Sequence, residues 1–438
     1  MTQPSPATDA AVDRRMALAR DWDELVEQVR ALDGFDDFLK PPGLETLLPA
    51  AARGPVVIIN VSRWRCDALI VRPTGVTLRP LHALTLDDAT RRAGDYLSAL
   101  KTAEIADGER LRAHQVAAGE SPRTAARRLL AADRTAEEAQ EQVDEVLHDL
   151  QGWMWQTIAE PVLREVGLTD TPSGEITTWP RIWWSPTGTL AMLPLHAAGH
   201  HREAAAGESP PRTVLDRAVS SYTPTLRALV ESRRPDDDPA RDRDRLLLVN
   251  VPHARGQVPL DSAAERAALF DAFPAERRTV LDGDGATRAA VRSVLGGHRW
   301  VHFSCHGDQD LNDPSRGGLL LHDAPLTVAD IAEDRYHGDF AGLSACKTAV
   351  GGINLLDEAI TLASALHYTG FRHVVAALWS VDNQTSAEVF TSLYRSIASE
   401  GRLDPDLAPA ALHRAVRRIR DCRPEWPHRW TPFAHTGP

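Results

Sequence analysis

The chain has 438 residues, 43% of them hydrophobic and 25% charged, and its 49 Lys and Arg against 61 Asp and Glu leave a formal charge of −12. That length allows two or three domains, and that balance is typical of a folded globular protein rather than a disordered one. A negative chain without a broad basic stretch argues against nucleic-acid binding, and no run approaches the roughly eighteen apolar residues of a membrane span.

The opening Met1–Asp9 has no apolar core, so no secretory signal is visible. Cys66, Cys305, Cys346 and Cys422 are scattered without a pairing pattern, which predicts reduced thiols in a cytoplasmic setting. Lysine occurs only at 40, 101 and 347, so nearly all positive charge is arginine, a bias expected of a GC-rich bacterial genome.

Residues 1–14 read as a tail. From Arg15 to about Ala52, Leu18, Trp22, Leu25, Val26, Val29 and Leu32 recur at helical spacing, and Pro41-Pro42 breaks the run. Three strand-like runs follow at 56–61, 66–71 and 76–81, the last after the turn signal Pro73-Thr74-Gly75. Residues 86–166 read as helices with a break at Gly119–Pro122. A strand is expected at Arg181–Ser185 and a helix near Pro224–Ser232. His196, His200 and His201 fall in a Gly/Ala-rich loop where solvent exposure is the expectation.

Residues 233–244 carry charges of both signs and two prolines, with Ala240 as their one apolar residue, and read as a solvated linker. Beyond it, strand and helix alternate. Leu246–Val251 has the continuous apolar character of a parallel strand covered on both faces. Ala263–Phe273 reads as helix, Arg278–Leu281 as strand, Thr287–Leu295 as helix, His373–Leu378 as strand and Ser386–Ala398 as a covering helix. The alternation predicts an α/β fold with a mainly parallel sheet.

Two further runs complete the set. Gly297–His306 ends in a histidine followed by Gly307, and Ala341–Thr348 carries Cys346, forty positions after His306. Neighbouring parallel strands can deliver an imidazole and a thiol to one carboxyl edge, where open α/β sheets hold their sites. A thiol becomes an effective nucleophile when a histidine can take its proton, so the pair suggests a cysteine hydrolase.

Other chemistry fits less well. Cys305 adjoins the histidine, and alternation along a strand turns it to the opposite face. His302–His306 lacks the cysteine that a c-type haem motif requires at 302, and no second ligand pair follows at zinc spacing. Gly342–Cys346 misses the serine-hydrolase elbow because Cys stands where its final Gly is needed, which leaves Ser344 without that role. No metal or organic cofactor is expected.

His302-Phe303-Ser304-Cys305-His306-Gly307 and Leu343-Ser344-Ala345-Cys346-Lys347-Thr348 resemble the two signature strands of the CHAT family, relatives of caspases and separases. The likeness extends through Val374–Val381, Ile182–Leu195 and the closing Trp426, Trp430, Pro432 and Phe433. It implies a caspase-like domain at 245–438, a degenerate pseudo-caspase-like part at 51–232, the linker between them, and a short helical segment within 1–50. It also implies endopeptidase activity on a protein or peptide substrate: Cys346 as nucleophile, His306 as proton carrier, and the backbone N–H groups of Gly307 and Cys346 as the oxyanion hole. Trp379, Asp382 and Asn383 become candidates for the substrate pocket. In separase-like relatives the position of Asn383 holds an acid that receives a basic P1 side chain. Asparagine stands there in this chain, so a basic preference does not carry over with the resemblance.

The rival reading is a catalytically silent CHAT fold that serves as an interaction or sensor module; an acyltransferase using the same thiol is a third. A regulatory protein partner is implied, with loops His306–Leu319 and Lys347–Asn354 as expected gates of the site.

Overall fold

The computed structural model describes residues 6–32, 35, 38–117, 121–207, 210–234, 244–254, 257, 259–310, 313–345 and 361–438; of 6–13 and 15 it describes the backbone alone. The expected linker falls mostly outside these residues.

The chain divides into two compact units, Met1–Leu47 and Leu48–Pro438. The first holds the helix Pro6–Arg30 and the short helix Leu44–Leu47. That first helix starts within the segment expected to be a tail: Pro6 suits a first helical position, and the alanines after it favour continuation.

The second unit is built on one sheet. Its strands are β1 (Val56–Asn60), β2 (Asp67–Arg72), β3 (Gly75–Pro80), β4 (Arg181–Pro186), β5 (Val219–Tyr222), β6 (Leu246–Asn250), β7 (Arg278–Asp282), β8 (Trp300–Ser304), β12 (Phe340–Ser344), β13 (His373–Ala377) and β16 (Phe433–Thr436). Between β8 and β12 lie β9 (His306–Asp308), β10 (Gly318–Leu320) and β11 (Pro325–Thr327), which form a small antiparallel sheet of their own. A two-stranded ribbon, β14 (Ala398–Ser399) with β15 (Arg402–Leu403), completes the set. The order across the large sheet is β3-β2-β1-β4-β5-β16-β13-β12-β8-β6-β7. Antiparallel pairing is confined to β1 with β2, β2 with β3, and β13 with β16; the other described neighbours run parallel. The fold is α/β with a large, mainly parallel sheet flanked by helices.

Apolar strands alternating their side chains between two covered faces explain why helices lie on both sides. Val301, Phe303, Ala341 and Leu343 pack on one face with the helices Arg288–Leu295 and Leu362–Thr369. Trp300, Phe340 and Val375 pack on the other with Ala263–Ala272, Asn383–Ile397 and Ala408–Cys422. In the first half of the sheet, the helices Leu86–Ala117 and Pro122–Met154 pack against each other and cover Ile59, Ile70 and Trp184. Ser121 caps the second of them by accepting from the Thr124 backbone N–H.

β5 and β16, which the apolar pattern does not reveal, join the two halves. Thr436 is the register partner of Tyr222, and Gly437 N–H donates to Tyr222 O at 3.1 Å. Side chains reinforce the join: Ser221 Oγ lies 2.8 Å from His435 Nδ1, and His435 Nε2 lies 3.1 Å from His373 Nδ1.

The histidine loop departs from expectation. His196 and His201 are buried, with His196 Nδ1 2.9 Å from Tyr222 Oη and His196 Nε2 2.9 Å from Thr431 O. His201 Nε2 lies 2.9 Å from Ala197 O, and its ring stacks edge-on to Trp430. Hydrogen bonds to both nitrogens of His196 and to Nε2 of His201 let these polar rings enter a core that composition alone would deny them.

Burial pushes His196 and His367 down to about 4 and His413 to about 3. A base with a folded pKa below its unfolded value lets the unfolded chain bind more protons in the window between the two. Stability therefore falls as pH drops from about 6.5 towards 4, by about 1.4 kcal/mol per histidine per pH unit. Denaturant titrations at pH 7 and pH 5 should show this loss, and His413→Leu should reduce the slope; pH-independent stability across that range would contradict it.

Candidate active site

The expected histidine strand is β8 and the expected cysteine strand leads out of β12. They are parallel neighbours, with Trp300 opposite Phe340 and Ser304 opposite Ser344. Beyond Ser304 the chain bends at Cys305, and His306 opens β9, where it pairs with Leu320 while Gly307 pairs with Leu319. His306 and Gly307 are thus half-buried at the carboxyl edge of the large sheet and held by a second, smaller one. Cys305 turns into the core on the Phe303 face, as alternation requires. Cys346 lies outside the described residues, as do the gate candidates Lys347–Asn354 and positions 311 and 312 of the other gate loop.

A cleft opens at this edge, next to the point where strand order reverses around β6. Its lining includes Ser304 at the end of β8 and His306 beyond it, Ser344 at the end of β12, and Glu265, Asn383 and Ser386 from two covering helices. Asp261 and Glu265 are its acidic groups, and no lysine or arginine lines it among the described residues. Asn383 therefore faces the site. Asp382 instead caps the helix Asn383–Ile397, accepting from Thr385 N–H at 2.9 Å and Thr385 Oγ1 at 2.6 Å. Trp379 is buried and meets Tyr96 edge-on at 5.6 Å, within the core of the sheet's first half. Neither Asp382 nor Trp379 is among the described residues lining the cleft.

Under the cleft is a polar network that the motifs do not announce. The Glu265 carboxylate, 3% exposed, accepts from Ser344 Oγ at 2.6 Å and from Ser304 Oγ at 3.2 Å. His302 Nε2 lies 3.1 Å from the same carboxylate, and Tyr394 Oη lies 2.8 Å from His302 Nδ1. Burial, and then the Glu265 charge, hold the Tyr394 hydroxyl well above its usual value. It stays protonated and donates to Nδ1, which leaves the Nε2 proton for Glu265. Ser386 Oγ lies 2.8 Å from Ser344 Oγ and joins the helix Asn383–Ile397 to the same network. Glu265 is in the first turn of its helix, where the dipole favours a carboxylate. One signal in the sequence marks it: Glu265 begins the i, i+4, i+8 stripe completed by the buried Leu269 and Phe273, where a third apolar residue would be expected.

Gly342 makes the network possible. A Cβ at this position would stand 2.5 Å from Tyr394 Oη and 3.0 Å from His302 Nδ1. Gly342→Ala should therefore displace the tyrosine and cost about 1–3 kcal/mol, measurable by denaturant unfolding. In Gly342→Ala/Tyr394→Phe the loss should be smaller than the sum of the single losses, because both disrupt one contact. Strict additivity would show that the clash is relieved elsewhere.

A sequence model described as the CHAT domain matches residues 148–438, well over half of the chain. The structure is similar to a chain of the Saccharomyces cerevisiae separase–securin complex solved at 2.6 Å, with a TM-score of 0.52, 10% identity, and coverage of 90% of this chain and 31% of that one. A second crystal structure of that complex, at 3.0 Å, gives a TM-score of 0.50 and 8% identity over 90% of this chain and 30% of the other. The chain thus spans about a third of the length of that protein, and at such identity the likeness concerns the fold. No curated protein matches the sequence. Among the described residues, no helix is long and apolar enough to cross a membrane, and no group of three or more His, Cys, Asp or Glu is arranged to hold a metal ion.

Proposed function

Because the chain belongs to the CHAT family, we propose that it is a cysteine endopeptidase in which Cys346 attacks a peptide carbonyl of a protein substrate and His306 carries the proton. One observation supports this above the rest. β8 and β12 run in register to Ser304 and Ser344 at the edge where the cleft opens, and His306 and Cys346 each stand two positions later in the sequence. In the reaction the Cys346 thiolate forms a bond to the carbonyl carbon, with the backbone N–H groups of Gly307 and Cys346 receiving the oxyanion. His306 protonates the departing amine, leaving a thioester. Water, deprotonated by His306, then releases the carboxylate product and restores the thiol.

The remaining roles follow from this reading. Residues 245–438 carry the chemistry, residues 51–232 serve as the pseudo-caspase scaffold, and 233–244 link them. The chemistry needs a reduced thiol, which suits a bacterial cytoplasm. Asn383 in the cleft wall offers an amide where an acid would favour arginine. The similar yeast protein was solved with securin, and a protein partner acting on the 306–319 and 347–354 loops is the corresponding expectation for this chain.

The test uses a cysteine-directed electrophile, with Cys422, which is exposed, as an internal reference thiol. Cys346 should react faster than Cys422 at neutral pH, and His306→Ala should slow it by about a hundredfold. Cleavage of proteins in a bacterial lysate, read from newly formed N-termini, should disappear in Cys346→Ala. Equal reactivity of the two thiols, with identical N-termini from wild type and Cys346→Ala, would favour the silent interaction module.

A further inference from the structure

Glu265 lies outside every motif that identifies the family-like strands, yet it contacts both of them. Its carboxylate accepts from Ser304, two residues before His306, and from Ser344, two residues before Cys346. His302, two residues further back on the same face of β8, approaches the same group. Each tie comes from the cleft-side face of its strand, and each hydroxyl is directed at a group carried by a third element, the helix Ala263–Ala272. From these contacts we infer that Glu265 is a positioning residue: one buried carboxylate sets the spacing of the strand ends that deliver the imidazole and the thiol. The inference rests on the dyad proposed above.

The chemistry of the site favours a carboxylate over any substitute. A carboxylate offers acceptors on both oxygens, whereas the amide of a glutamine of the same shape has one acceptor and one donor. In Glu265→Gln the NH2 group must face either Ser344 Oγ or the pair formed by Ser304 Oγ and His302 Nε2. A serine hydroxyl that meets the NH2 group must turn to accept from it and gives up the bond it donated, and an Nε2–H that meets it loses its partner, so the strand end that carries them shifts to a new arrangement. The displacement this produces is small, but a proton transfer between sulfur and nitrogen depends on sub-ångström spacing. Ser386 adds a further tie through Ser344 and secures the cysteine side to the helix that supplies Asn383. Positioning is also the role that the burial allows, since a carboxylate 3% exposed and already receiving these donors has little surface left for substrate.

The experiment follows Cys346 alkylation by iodoacetamide across pH 5–9, by mass spectrometry of the peptide containing it, in wild type, His306→Ala, Glu265→Gln, Ser344→Ala and Leu412→Ala. Leu412 is buried in the core contributed by the helix Ala408–Cys422 and is not among the described lining of the cleft. It reports what loss of stability alone does. Wild type should retain reactivity below pH 7 that His306→Ala loses. Glu265→Gln should lower that low-pH reactivity by about tenfold, the scale of one hydrogen bond to a charged group. Ser344→Ala, a milder change that keeps the Ser304 and His302 ties, should lower it in the same direction, while Leu412→Ala should lower Tm without altering the profile. Wild-type profiles from Glu265→Gln and Ser344→Ala, with the His306 dependence intact, would overturn the positioning role and leave the dyad standing. The same profile change in Leu412→Ala would overturn it as well, by tracing the effect to stability. An alkylation profile independent of His306 in wild type would end the dyad reading, and the inference with it.

Discussion

Residues 433–436 form a central strand of only four residues in the large sheet, and the rest of the unit depends on where they sit. β16 pairs antiparallel with β13 along its length and meets β5 through Tyr222. Among the described residues it is the element that makes one sheet out of strands drawn from 56–222 and 246–377. Two unpaired sheet edges would otherwise face each other, each presenting N–H and C=O groups in need of partners. Side chains at the join add specificity: Trp183 Nε1 donates to Gly437 O at 2.8 Å, and Arg181 Nη2 donates to Ser221 Oγ at 2.7 Å. β13 is thereby fixed from both sides, against β16 and against β12, and the cleft lies at the carboxyl ends of β8, β12 and β13.

The buried polar groups are distributed unevenly across this frame. On the Val301–Phe303–Leu343 face the sheet is hydrocarbon against hydrocarbon. On the other face, toward the cleft, His302, Ser304 and Ser344 interrupt the apolar surface, and Glu265 and Tyr394 come from covering helices to meet them. Polar groups inside a protein are tolerable only when satisfied, and a satisfied network orients its members far more narrowly than oil-like packing does. Gly342 sits among them because no side chain fits between the tyrosine hydroxyl and the imidazole.

Much of this organisation is legible in the sequence, for identifiable reasons. β6 shows itself as a continuous apolar run, since a strand covered on both faces needs no polar alternation. The signature residues around His306 and Cys346 carry the family, and the CHAT match over 148–438 agrees with them. β5 and β16 escape because Val219–Tyr222 and Phe433–Thr436 are short and half polar; Ser221 and His435 are buried through partners far away in the chain, which no local pattern can report. The helix Ala408–Cys422 is obscured by its arginines, although Leu412, Val416 and Ile419 form a stripe on one face. The burial of His196 and His201 depends on Tyr222, Thr431 and Trp430, so their loop composition points the wrong way. Trp379 shows the complementary problem: it lies next to the candidate pocket in sequence, yet its ring belongs to the core shared with Tyr96.

The order in which the chain leaves the ribosome bears on β16. Both strand sets it joins are synthesised before it, so each emerges with an open edge and waits for residues 433–436 to arrive. Until then β13 lacks its antiparallel neighbour, and the ground on which the cleft is laid is incomplete. A nascent chain therefore carries the proposed dyad residues His306 and Cys346 well before the sheet can close, and translation itself sets the earliest moment at which the edge that bears the cleft is complete.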